Sequence, residues 1–166
     1  MSRLLVWREE WSLGIDALDA DHRALFGTLI DISLRFCPQA AGPATVRGIT
    51  RAPETAACAG SPAADLVDSL TAFGAQFRAH IRREEAFMRA IHYPQLAAHA
   101  AKHAVLLTQF SEMLSDWRAS GNELFDESAQ EFVRHWLLTH VLESDRSFAN
   151  AYFDLCGLEE PGVDQG

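Results

Sequence analysis

The sequence predicts an all-α protein: an up-down-up-down four-helix bundle preceded by an N-terminal arm. Three observations predict it. Apolar residues recur at helical spacing through four long segments, and none alternates convincingly with the two-residue period of a strand. Helix-breaking punctuation separates the segments: a proline- and glycine-rich run at 38–62, Tyr93-Pro94, and Ser120-Gly121-Asn122. Each segment also places at least one histidine on its apolar stripe. With 166 residues the chain reads as one domain, 1–166, long enough for a substantial core.

Residues 1–18 form the arm. Trp7, Trp11, Leu13 and Ile15 are apolar points on a polar, turn-rich stretch, and the tryptophans are expected to pack across the bundle. The first helix opens at Asp19, read as its N-cap, and carries Leu18, His22, Leu25, Phe26, Leu29 and Ile32 on one stripe. Residues 38–62 read as a long mobile loop. The second helix, about 63–90, aligns Leu66, Leu70, Phe73, Phe77, His80, Glu84, Phe87 and Met88. The third, about 95–119, aligns Leu96, His99, His103, Leu106, Leu107, Phe110 and Leu114. The fourth, about 127–154, aligns Phe132, Val133, Trp136, Leu137, His140, Val141, Ser144, Phe148 and Tyr152.

Composition excludes several classes. A formal net charge of −9 argues against nucleic acid and anionic membranes as partners. The start, MSRLLVWREE, has too short an apolar run for a secretory signal, and no run suits a membrane span. Three scattered cysteines fit a reducing cytoplasm, the expected location; a Cys37–Cys58 bridge is the minor alternative.

The chemistry gathers in HIRREEAFMRAIHYPQLAAHAAKH, residues 80–103. His80 and Glu84 are four apart, as are His99 and His103, so each pair shares a helix face with Cβ atoms about 5–6 Å apart. One such pair is commonly a solvated hydrogen bond. Two pairs on adjacent helices suggest a metal site, and imidazole with carboxylate suits iron, zinc or manganese. Glu84 occupies a position otherwise reserved for burial, where a carboxylate needs a partner. Glu85, one residue round the helix, reads as solvated. His22, His140 and Asp145 join from the other helices. Five buried imidazoles would each need a hydrogen-bond partner, and one metal centre accounts for all of them.

The segments GIDALDADHRALF, HIRREEAFM, YPQLAAHAAKH and WLLTHVLESD resemble the hemerythrin family, in particular its single-domain bacterial members. The likeness spans about residues 5–155 and includes, in order, H, HxxxE, YP, HxxxH and HxxxxD. It implies two iron ions bridged by carboxylates and an oxo or hydroxo group, with dioxygen as ligand. By resemblance His99, His103 and His140 hold one iron, His22 and His80 the other, and Glu84 and Asp145 bridge them. The second iron keeps an open position. The chain departs from the family in its longer 38–62 loop and its longer stretch between His103 and His140.

On that ligand set the implied function is reversible dioxygen binding, for storage, delivery or sensing, rather than catalysis. Di-iron oxygenases of the Glu-x-x-His bundle type use more carboxylates, and five imidazoles with two carboxylates are less suited to cleaving the O–O bond. Oxygen can take two electrons and a proton here without changing the net charge of the buried centre. Two alternatives stand beside it: a di-iron oxidase, peroxidase or nitric oxide-handling enzyme, and a sensory module acting through an unidentified protein partner. Leu137, Trp136 and Phe77, each about a turn before a histidine, are candidates to wall the oxygen pocket, though ordinary core packing explains them equally. His92, beside Tyr93-Pro94, reads as exposed; His135, next to Trp136 and five before His140, reads as structurally neutral, with a ligand role as its minor alternative.

His140 and Asp145 are five apart, which on a regular helix leaves them about 140° apart. Either the helix widens locally into a π-bulge and brings them into line, or Asp145 reaches in from the flank. In a third reading Glu143 faces inward instead.

Overall fold

The computed structural model describes residues 5–37 and 61–157. The expected 38–62 loop falls almost wholly outside these residues, as does Cys58. The helices are α1 (Asp16–Phe36), α2 (Pro62–Ala90), α3 (Leu96–Ser120), α4 (Glu127–His140) and α5 (Arg146–Cys156). A π-helical turn, Val141–Asp145, joins α4 to α5 with helical backbone at both junctions, so the three pieces form one continuous fourth rod. The architecture is a four-helix bundle, with no strand among the described residues.

The boundaries follow local chemistry. α1 begins at Asp16, three residues before the expected cap, because the Ile15 carbonyl already accepts the Leu18 and Asp19 N–H groups. Asp19 ties down the arm instead. Its carboxylate accepts from Ser12 Oγ at 2.6 Å, Leu13 N at 2.8 Å and Gly14 N at 3.1 Å. α2 starts on Pro62, whose missing N–H costs nothing in a first turn. Between α2 and α3 the chain turns through His92 at φ +55° and the Tyr93-Pro94 break. α3 ends at Gly121, which adopts the left-handed conformation (φ +63°) that glycine accepts without steric cost. Asp126 caps α4, its carboxylate accepting from Ala129 N at 2.9 Å.

The core is aromatic. Phe26, Phe73, Phe77, Phe110, Phe125 and Phe148 are fully buried. Gly74 lets α2 and α3 close: a Cβ there would sit 2.5 Å from the Phe110 ring, which in turn stacks on Trp136 at 5.5 Å. The arm packs as expected, with Trp11 buried and both Trp7 and Trp11 against Phe26. One inward assignment is corrected. Phe132 is 55% exposed, because Val133 and Trp136 take the α4 stripe toward the core and Phe132 lies a further 100° round.

Candidate metal centre

Toward the end of the bundle where α1 and α3 begin and α2 finishes, the four rods turn polar groups inward. α1 supplies His22, α2 supplies His80 and Glu84, α3 supplies His99 and His103, α4 supplies His140, and the π turn supplies Asp145. All seven are buried. They form two nests. Glu84, His99, His103, His140 and Asp145 make the first; His22, His80 and Asp145 make the second. Within each nest the donor atoms lie within 4.8 Å of one another, and Asp145 belongs to both.

The π turn decides which acid enters. Asp145 is fully buried, with its carboxylate 2.9 Å from His140 Nε2, 3.3 Å from His99 Nε2 and 3.5 Å from His22 Nε2. Glu143 is exposed. The widened turn adds one residue to the local repeat, so a residue five after His140 comes round to its side. The reading with Glu143 inward is therefore set aside.

Across the centre, Glu84 lies 3.1 Å from His103 Nε2, 3.5 Å from His99 Nε2 and 3.9 Å from His80 Nε2. The His22 and His80 Nε2 atoms face each other at 3.2 Å. Two imidazole nitrogens at adjacent positions of one ion, with bonds of about 2.1 Å at a right angle, would be about 3.0 Å apart. The donor set passes a second test. Both oxygens of Glu84, both of Asp145, and the Nε2 atoms of His99, His103 and His140 are buried without an aligned hydrogen-bond partner. Stranding so many polar atoms in a core is costly, and a cation at their focus would satisfy them together. The residues fit a metal.

Without a metal these groups lean on each other. Burial pushes the Asp145 carboxyl up, but contacts with His140, His22 and His99 outweigh it and hold it well below the usual carboxylate range. Burial and the neighbouring Asp145 carboxylate also push Glu84 up, yet contacts with His103, His99 and His80 bring it below its ordinary value. His99 shows the reverse. Burial disfavours its charge, but Asp145 and Glu84 raise it to about 9. Protons and metal ions thus compete for the same nitrogens.

Three supporting residues escaped the sequence reading. Asp21 accepts from His80 Nδ1 at 3.3 Å and is gripped by Arg83 through two hydrogen bonds of 2.8 Å. Glu85, expected to be solvated, meets His103 Nδ1 at 2.9 Å. A carboxylate on Nδ1 fixes the tautomer and leaves Nε2 free to ligate. Adjacency to His22 and Glu84 was the only signal in the sequence. Trp7 stacks on His22 at 6.2 Å.

Of the candidate pocket residues, Phe77 stacks on His80 at 6.3 Å and meets Trp136 edge-on at 5.0 Å. Leu137 is 1% exposed, one turn before His140. His92 and His135 lie on the surface, outside both nests.

The family model for the hemerythrin HHE cation-binding domain matches residues 13–152. The chain belongs to that family. Two relatives are bacteriohemerythrins: one from Stenotrophomonas maltophilia (strain R551-3), 24% identical over 147 residues, covering 89% of this chain and 80% of its own, and one from Clostridium acetobutylicum, 24% identical over 145 residues, covering 87% and 98%. A crystal structure of a hemerythrin mutant aligns with TM-score 0.62 at 19% identity, covering 87% of this chain and 93% of that one, which shows the shared hemerythrin fold. No helix among the described residues is long and apolar enough to cross a membrane.

Proposed function

We propose that this chain binds dioxygen reversibly at a non-haem di-iron centre, as a carrier or local store rather than an enzyme. The observation that carries the reading is the pair of nests sharing Asp145, with an excess of unpartnered ligand atoms at their focus. His99, His103 and His140 would hold one iron and His22 and His80 the other, with Glu84 and Asp145 spanning both. Three imidazoles against two would leave the second site short of a ligand, and dioxygen would take that position. When bound, the two irons supply the two electrons that dioxygen needs in order to bind, and recover them on release.

The protein's own part is to orient and to exclude water. Asp21 and Glu85 hold the Nδ1 sides of His80 and His103, so their Nε2 lone pairs point to the centre. Phe77 and Trp7 lay aromatic faces against the two imidazoles of the under-filled site, and Trp136 backs Phe77. Leu137 belongs to the same wall in this reading. Dry walls keep water and anions from displacing bound oxygen.

Metal analysis and the visible spectrum test the proposal. Protein purified from iron-replete cells should hold two irons per chain. The reduced, colourless form should gain an absorption band in air and lose it under nitrogen, through repeated cycles. One zinc and no iron would overturn the metal. Turnover of peroxide or nitric oxide with a reductant, and no stable oxygenated form, would overturn the carrier reading in favour of an enzyme.

A further inference from the structure

The centre is deep, but one of its residues borders the outside. Between α3 and the fourth rod the bundle opens into a groove of about 920 Å³, and His140 lies in its lining. His140 is as deeply buried as His99, at 5% and 4% exposed, but of the seven residues it alone lies in the groove lining. Its Nε2 is buried and turned to the first nest, 2.9 Å from Asp145 without an aligned hydrogen bond. One imidazole therefore belongs both to the groove and to the first nest.

The groove carries charge of one dominant sign. Glu112 and Asp116 line it from α3, Asp126 from the cap of α4 and Glu143 from the π turn; Lys102 is the one lysine or arginine in the lining against these four carboxylates. An acidic cleft with low-dielectric walls concentrates cations at its floor. The π turn adds the decisive arrangement. It sends Asp145 into the centre and leaves Glu143, two residues earlier, in the groove, with His140 common to both places.

We propose that this groove is the port through which a divalent cation enters and leaves the centre, with Glu143 holding it in transit before His140 and Asp145 take it. The inference rests on reading the centre as a metal site. An ion entering a dry core must shed water, and a bare charge there is costly. A carboxylate at the mouth replaces part of the lost hydration before the buried ligands engage. Lys102, which donates to Ser144 Oγ at 3.1 Å on the groove lining, puts a positive charge beside the same path. It opposes the passage of a cation.

A transit ligand has a kinetic signature that a resident ligand lacks. It lowers the barriers to entry and exit equally, so its removal slows both rates and leaves affinity unchanged. The test uses the iron-loaded full chain, reduced anaerobically. Iron release to excess ferrous chelator is timed, followed by re-uptake of added ferrous ion. Glu143→Gln should slow both roughly tenfold, within the range of such electrostatic steering, at unchanged iron content and Kd. Lys102→Gln should quicken both. Glu127→Gln, exposed on α4 and outside the groove lining, should match the parent. Unchanged rates in Glu143→Gln would overturn the port, and so would faster release with weakened affinity. A parent chain holding no iron would overturn the metal reading itself, so the two failures are distinguishable.

Discussion

Asp21→Ala separates the work of the ligands from that of their supports. In the structure His80 Nδ1 reaches one oxygen of Asp21 at 3.3 Å, and Arg83 spans both oxygens at 2.8 Å. Burial pushes the Asp21 carboxyl up, but the Arg83 and His80 contacts outweigh this and keep it ionised, below its ordinary value. Removing the carboxylate frees the His80 ring to rotate and to protonate at either nitrogen. Losing such a partner typically costs about 10- to 100-fold in metal affinity, or roughly 1.4–2.7 kcal/mol. The fold should lose far less. Asp21 and Arg83 form a half-exposed ion pair at the bundle surface, side chains 22% and 55% accessible, and surface pairs contribute about 0.2–1 kcal/mol. Competition against a chelator of known affinity should therefore show the weaker iron of the pair released about 10- to 100-fold more readily, while the melting temperature of the metal-free chain barely moves. Asp21→Asn, which still accepts a hydrogen bond but carries no charge, should fall between. Affinity within about twofold of the parent for Asp21→Ala, well short of the usual loss, would refute the reasoning.

His103→Ala and Glu84→Ala should each lower iron content and the stability of the loaded protein, whereas His92→Ala and His135→Ala, both on the surface, should leave iron content as it was; equal iron and equal melting temperatures across the four would reject the ligand set. Leu137→Ala and Leu137→Tyr should change the lifetime of the oxygenated form more than iron content, read by the decay of its absorption in air; identical decay in both would place Leu137 outside the pocket. The metal-free chain should lose stability as pH rises from about 6.5 through about 9, because His99 holds its proton up to about 9 in the fold whereas the unfolded chain releases it from about 6.5. On the acid side the depressed Asp145 and Glu84 carboxyls contribute stability above about pH 4, lost as they protonate on further acidification. Melting curves from about pH 2 to 10 would read both limbs, and a metal-free protein that grows more stable between about pH 7 and 9 would contradict the His99 assignment.

Much of this molecule is written along single helices. The four helical segments, their breaks at Tyr93-Pro94 and Gly121, and the inward placing of His22, His80, Glu84, His99, His103 and His140 all follow from a 3.6-residue period. Periodicity fixes which residues of one helix share a face. It says nothing of how that face is rotated against the next helix. Asp21 meeting His80, Glu85 meeting His103, and Trp7 stacking on His22 are contacts between residues 59, 18 and 15 positions apart. Each depends on rotation and rise between packed rods.

The same limit explains Phe132, whose position on the stripe looked apolar but which the packing turned outward. It explains Asp19, which looked like a cap until the arm folded back onto it. The π turn marks the boundary between the two kinds of information. A five-residue gap shows from sequence alone that His140 and Asp145 stand about 140° apart on a regular helix, so that both reach one centre only if the helix widens or one side chain reaches round. Three readings meet that constraint, and only the packed structure chooses among them. Asp145 turns inward, where His140, His99 and His22 offset the burial of its charge, and Glu143 is left to water.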